Sequence, residues 1–195
     1  MRKLAILTFV TLDGVMQGPS AAEEDRSDGF ALGGWAKPYW DEVMAQVQTH
    51  AMAEPYDFLF GGNTFDMFSA HWPKEDQSDP AAQTINGSQK YVVTSREEPL
   101  GWSYAHKVQG DDIPGEIAKL KAEDGKLLQV HGSCALIQLL LKHDLVDELR
   151  LWTFPTILGS GRQLFSGGTV PAQFELTKAE PTPNGVLMSL YKRAR

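Results

Sequence analysis

Val130-His131-Gly132-Ser133-Cys134-Ala135-Leu136, continued by Leu139-Leu140-Leu141 and then by Leu145-Val146-Asp147-Glu148-Leu149, reads as strand, tight turn, helix and strand. Leu127, Leu128 and Val130 make the incoming strand apolar enough to be buried, and Gly132 permits a close turn. Ser133 is placed to cap a helix whose unpaired N–H groups face the carboxyl end of that strand, which is where a phosphate is bound. Leu136, Leu139 and Leu140 recur at helical spacing, and Lys142 and His143 fall in the last turn, where their charge suits the dipole. Alone, the segment is equally an ordinary strand-to-helix connection, so the rest of the chain has to decide.

The 195 residues suit one large domain with a substantial core, and we read residues 1–195 as a single unit. A net charge of −7 and a pI near 5.2 give no electrostatic case for nucleic acid. The single cysteine excludes an intramolecular disulfide and agrees with a reducing cytoplasm, the expected location. Asp13 interrupts the apolar start Leu4 to Val10 too early for a signal peptide, and no apolar run reaches the ~18 residues of a membrane span.

Strand and helix patterns alternate along the chain. Strands are expected at Leu4 to Val10, Asp57 to Gly61, Lys90 to Thr94 and Glu148 to Phe154. Helices are expected within Trp35 to Ala53, with Trp40, Val43, Met44 and Val47 on one side, and over Ile113 to Lys121, with a helical turn at Asn63 to Phe68. Gln173 to Glu180 and Gly185 to Lys192 read as paired strands around Pro181-Thr182-Pro183-Asn184-Gly185. This is an α/β pattern with a mixed sheet ending in an antiparallel hairpin. Pro19 to Gly34, with Glu23, Glu24, Asp25, Arg26 and Asp28, is a solvated loop or a lid over a site, and Trp72 to Pro80 is a second loop.

Thr11-Leu12-Asp13-Gly14-Val15, Gly61-Gly62-Asn63-Thr64-Phe65, Tyr91-Val92-Val93-Thr94-Ser95-Arg96, the opening segment, and Pro155-Thr156-Ile157-Leu158-Gly159-Ser160-Gly161-Arg162-Gln163-Leu164-Phe165 occur in that order and spacing along the chain. Together they resemble the dihydrofolate reductase-like superfamily over nearly the whole chain, most closely its riboflavin-biosynthesis reductase branch. The resemblance implies a mainly parallel sheet of about eight strands flanked by helices, with NADPH laid across the strands' carboxyl ends.

By that resemblance Gly62, Asn63 and Thr64 cradle the adenosine end, and Ser95 and Arg96 meet the ribose or its 2′-phosphate. The turn His131, Gly132, Ser133 and Cys134, with Leu136 behind it, takes the pyrophosphate; Gly159 and Gly161 contact the nicotinamide side. Asn63 stands where relatives carry an arginine, so NADH is a second candidate cofactor unless Arg96 supplies the missing cation. Glu97 and Glu98 compete for that arginine.

Asp41 and Asp13 are the carboxylates in position to act as catalytic groups, each equally explained as a helix-start or turn residue. Trp35, Trp40, Phe65, Phe68, Trp72 and Pro155 are the candidate walls for a flat, pterin-like or pyrimidine-like substrate. The five histidines show no paired ligand spacing and read as surface or capping residues, so no metal is expected. Cys134 reads as a buried structural thiol, and Gly159-Ser160-Gly161 fails the Rossmann spacing because position 164 is leucine. The expected activity is reduction of a small heteroaromatic, with a non-catalytic ligand-binding module as the alternative. A homodimer is expected from the apolar alternation of Val186, Met188 and Leu190 and from the dimers of relatives.

Overall fold

The computed structural model describes residues 1–51 and 54–194. The apolar run at the start forms β1 (Leu4–Thr11), and its alternate residues pack on both faces because it lies inside the sheet. Five further strands follow: β2 (Tyr56–Gly61), β3 (Lys90–Val93), β4 (Ala105–Val108), β5 (Leu127–His131) and β6 (Glu148–Phe154). β7 (Phe174–Pro181) and β8 (Leu187–Arg193) form the terminal hairpin. The eight strands make one sheet in the order β4-β3-β2-β5-β1-β6-β8-β7, parallel from β4 through β6 and antiparallel at β6–β8–β7.

Two helical layers cover it. Helices α4 (Ile113–Ala122) and α5 (Cys134–Lys142) pack Ile117, Leu136, Ile137 and Leu140 against Leu4, Ile6, Leu128 and Val130. Burying each such side chain stabilises the fold by about 1.5–3 kcal/mol. On the other face lie α1 (Glu42–Ala51), α2 (Gly62–His71) and α3 (Pro80–Gly87), contributing Met44, Phe65 and Ile85 to cores built on Trp152 and on Phe58 and Phe60.

Several expectations are corrected. The first helix begins at Glu42 because Pro38 and Trp40 sit in and after a single 3-10 turn over Lys37–Tyr39. Of its supposed apolar side Met44 is buried, whereas Trp40 and Val43 are exposed; Val47 lies outside the described side chains. The turn expected at Asn63 is a full helix, α2, and the loop from Trp72 ends in α3, which Asp79 caps by accepting from Ala81 N at 2.7 Å. The edge strand β4 carried too few apolar residues to be recognised. Val186 and Met188 point into the core, so the exposed apolar residues of the hairpin are Leu176 and Leu187 instead.

Candidate functional site

Strand β1 is followed by a move to β2, β3 and β4 on one side, and the chain returns through β5 before crossing to β6 on the other. Crevices form where the direction of winding reverses, outside the carboxyl ends of the strands. Here the crevice is a cavity of about 700 Å³, bordered by Phe9 of β1, Gly61 of β2, Val93 of β3 and His131 of β5.

Two helices begin on it. The backbone of Gly61 is extended and leads directly into α2, while Gly132 and Ser133 both turn left-handed (φ +56 and +60) to start α5. Neither helix has a side-chain cap, and the residues of both first turns border the cavity. Ser133 was expected to cap α5. Its left-handed backbone instead directs the hydroxyl to the neighbouring terminus, where Oγ accepts from Gly61 N at 3.1 Å. The bond ties together two positive dipole ends, an arrangement suited to a ligand with two adjacent phosphates. A Cβ built on Gly132 meets no atom within 4 Å, so the space in front of the turn is open.

Gly62, Asn63, Thr64, Gly132, Ser133, Cys134 and Leu136 all border the cavity, as do Trp40, Phe68 and His131. The segment from Gly18 to Asp25 closes one side, so the loop expected as a lid does lie over the site. Arg162 N donates to Gln17 Oε1 at 3.0 Å, and its guanidinium pairs with Asp28 at 3.0 Å, tying that loop to the one after β6.

Other candidates lie elsewhere. Asp41 Oδ1 accepts from Met44 N at 2.7 Å and Oδ2 from Asn184 Nδ2 at 2.6 Å, so this carboxylate caps α1 and holds the hairpin turn. Asp13 accepts from the Thr11 hydroxyl and from Gly159 N at 2.7 Å, bonds that hold its carboxyl below the usual range and brace the loop after β6. Trp35 and Phe65, 7% and 1% exposed, are core residues, and Trp35 Nε1 donates to Gln17 O. Trp72 packs behind Phe68, and Pro155 sits beside Tyr39 and Gly185, both outside the cavity lining. Gly159, Gly161 and Ser95 are also outside it. A Cβ on Gly161 would come within 2.8 Å of Val15 and Phe30, so glycine there serves packing.

Arg96 stands near the start of α2 but makes a two-pronged pair with Asp66 at 2.7 and 2.6 Å. The competitor is therefore Asp66, one helical turn along α2, rather than Glu97 or Glu98. Sequence patterning alone did not mark Glu24, Asp25 or Arg162 as cavity residues, because their placement depends on how the polar loop folds back. Burial raises the Glu24 carboxyl above its usual range. Cys134, expected to be buried, is half-buried on the cavity wall, and desolvation there still pushes its thiol up to about 11. His131, expected among surface or capping histidines, is buried among aromatic rings; burial, then the nearby Arg150 charge, lowers it to about 3.

No described helix is long and apolar enough to cross a membrane. The RibD C-terminal domain model matches residues 2–188. An uncharacterised Bacillus subtilis (strain 168) protein, YyaP, is 25% identical over 97% of this chain and 94% of its own. A putative riboflavin biosynthesis protein from Shewanella sp. PV-4 superposes with a TM-score of 0.64 at 22% identity, over 100% of both chains. Dihydrofolate reductase from Enterococcus faecalis, complexed with NADP(H), superposes at 0.62 with 12% identity, over 99% of this chain and 97% of that one. A Thermotoga maritima diaminohydroxyphosphoribosylaminopyrimidine deaminase/5-amino-6-(5-phosphoribosylamino)uracil reductase gives 0.60 at 18% identity, with 99% of this chain spanning 57% of that one. A sheet wound in the dihydrofolate reductase-like manner, ending in its hairpin and matched over residues 2–188, makes this chain a member of the RibD C-terminal domain family.

Proposed function

We propose that the protein is a nicotinamide-dependent reductase of a small heteroaromatic, pterin-like or pyrimidine-like compound. The observation that carries this reading is the pair of uncapped helix termini, joined through Ser133 and Gly61, opening on a cavity of about 700 Å³. The first-turn N–H groups of α5 would hold a pyrophosphate, and those of α2 with Thr64 would hold the adenosine end. The bound dinucleotide would supply a hydride. NADPH is favoured if Arg96 turns from Asp66 to a 2′-phosphate, and NADH if that pair persists.

Phe9, Trp40 and Phe68 offer aromatic surface to a flat ring beside His131. Glu24, whose acid form burial favours although its Oε2 accepts from Ser20 N and Ala21 N, can hold a proton at the cavity wall; Asp41 and Asp13 are engaged in bracing loops between distant segments. That engagement is also what supports the second reading, a dimeric ligand-binding module without turnover. The two are separated by following nicotinamide absorbance with NADPH against pterins and pyrimidine precursors of flavins. Oxidation that depends on one of these compounds supports the reductase; tight NADPH binding without oxidation by any of them supports the module.

A further inference from the structure

Gln129 and His131 lie two residues apart on β5, so their side chains leave the same face of the sheet. Gln129 is fully buried, and His131 reaches the cavity wall. Arg150 of β6 is in register with Leu7 of β1, which is itself in register with His131, and this places the guanidinium on the same face. Arg150 Nη1 donates to Gln129 Oε1 at 3.1 Å, and Gln129 Nε2 lies 2.7 Å from His131 Nε2.

These three groups admit one consistent set of protons. A guanidinium has only donors, so the Gln129 atom facing it must be the amide oxygen. The amide nitrogen, also only a donor, then faces His131 Nε2, which must accept. The imidazole proton is left on Nδ1. Glu54 and Glu148 hold Arg150 from its other nitrogen, at 2.7 and 3.2 Å, which fixes the head of the chain. Tyr56, Phe58 and Phe68 enclose the imidazole with ring centroids 5.9, 5.0 and 6.0 Å away, and no described group hydrogen-bonds Nδ1.

We propose that Arg150 and Gln129 lock His131 as the Nδ1–H tautomer, and that this neutral donor recognises a ring nitrogen or carbonyl oxygen on the edge of the substrate. The proposal rests on the heteroaromatic reading above. A donor that stays neutral selects for an acceptor without attracting anions, and an analogue with carbon at that position leaves a buried N–H unpaired.

Two measurements test it. In long-range nitrogen–proton NMR spectra of histidine-labelled protein, His131 should show a protonated Nδ1 and a bare Nε2, unchanged from about pH 8 to about pH 5. Gln129→Glu replaces the amide donor with an acceptor, so the tautomer should invert. An Nε2–H pattern in the unmutated protein, or no inversion in the variant, overturns the lock.

The second measurement titrates lumazine, a pteridine with carbonyl acceptors, by its fluorescence. His131→Leu and Gln129→Glu should each weaken binding at least about tenfold, the loss of one hydrogen bond to a buried donor, while His131→Gln retains most of it. Equal lumazine affinity in the unmutated and His131→Leu proteins overturns the recognition role. If the unmutated protein binds NADPH but neither lumazine nor any pterin or flavin-precursor pyrimidine, the heteroaromatic reading fails and the recognition role with it; if it binds one of these but not lumazine, the recognition role alone fails, and the tautomer lock is judged by the first measurement in either case.

Discussion

Gly132→Asp tests the placement of the pyrophosphate most directly. The left-handed backbone (φ +56) costs a residue with a Cβ about 1–2 kcal/mol, but aspartate and asparagine tolerate it best, and the new Cβ would touch nothing within 4 Å. A carboxylate at the uncapped start of α5 regains about 0.3–1 kcal/mol from the dipole, so the variant should fold. A bound pyrophosphate would meet that carboxylate about 5 Å away. At an effective dielectric near 20, one pair of like unit charges at that separation repels by about 3 kcal/mol, roughly a hundredfold in affinity. Gly132→Asn has the same shape without the charge and should lose far less. Titration calorimetry with NADPH, on variants checked by thermal melting, reads the difference. Equal affinities for the aspartate and asparagine variants would refute a phosphate at this turn.

Arg96→Ala should lower NADPH affinity about tenfold and leave NADH unchanged, with Asn63→Arg restoring discrimination in that background; equal NADH and NADPH affinities in the unmutated protein would remove the basis for it. Cys134, pushed up to about 11 in the folded protein, should react with iodoacetamide at pH 8 about a hundredfold more slowly than in the unfolded chain, whose thiol ionises near 9; comparable rates would contradict the raised thiol. The same shift means that its contribution to stability is complete below about pH 9 and declines as pH rises towards 11, which denaturant melts across that range would show. Leu176 and Leu187, exposed on the hairpin, favour a homodimer, and light scattering at micromolar concentration should return twice the chain mass, a monomer mass being decisive against it.

Short-range signals were sufficient for much of the architecture. The alternation of apolar strands with helical periodicities fixed an α/β sheet, and Glu148 to Phe154 was bounded to the residue because buried strands are uninterrupted runs. The Gly132 turn was legible for the same reason: a strand, a glycine and a leucine-spaced helix follow one another directly. The carboxylates behaved differently. Asp13, Asp41 and Asp66 are ordinary acidic residues in sequence, and each has a role set by a partner brought close only by folding: Gly159, Asn184 and Arg96.

Distance along the chain also hid part of the cavity wall. Glu24 and Arg162 are separated by well over a hundred residues, and only the folding of the polar loop over β1 makes them neighbours of one cavity. Residue type and periodicity report which face of an element is apolar, so the sequence by itself determined the layers and the glycine turn that starts α5. Hydrogen bonds and desolvation depend on the few ångströms between groups from different elements. The tertiary structure alone therefore decided that Ser133 bridges to Gly61, that Arg96 is held by Asp66, and that His131 is buried beside Gln129.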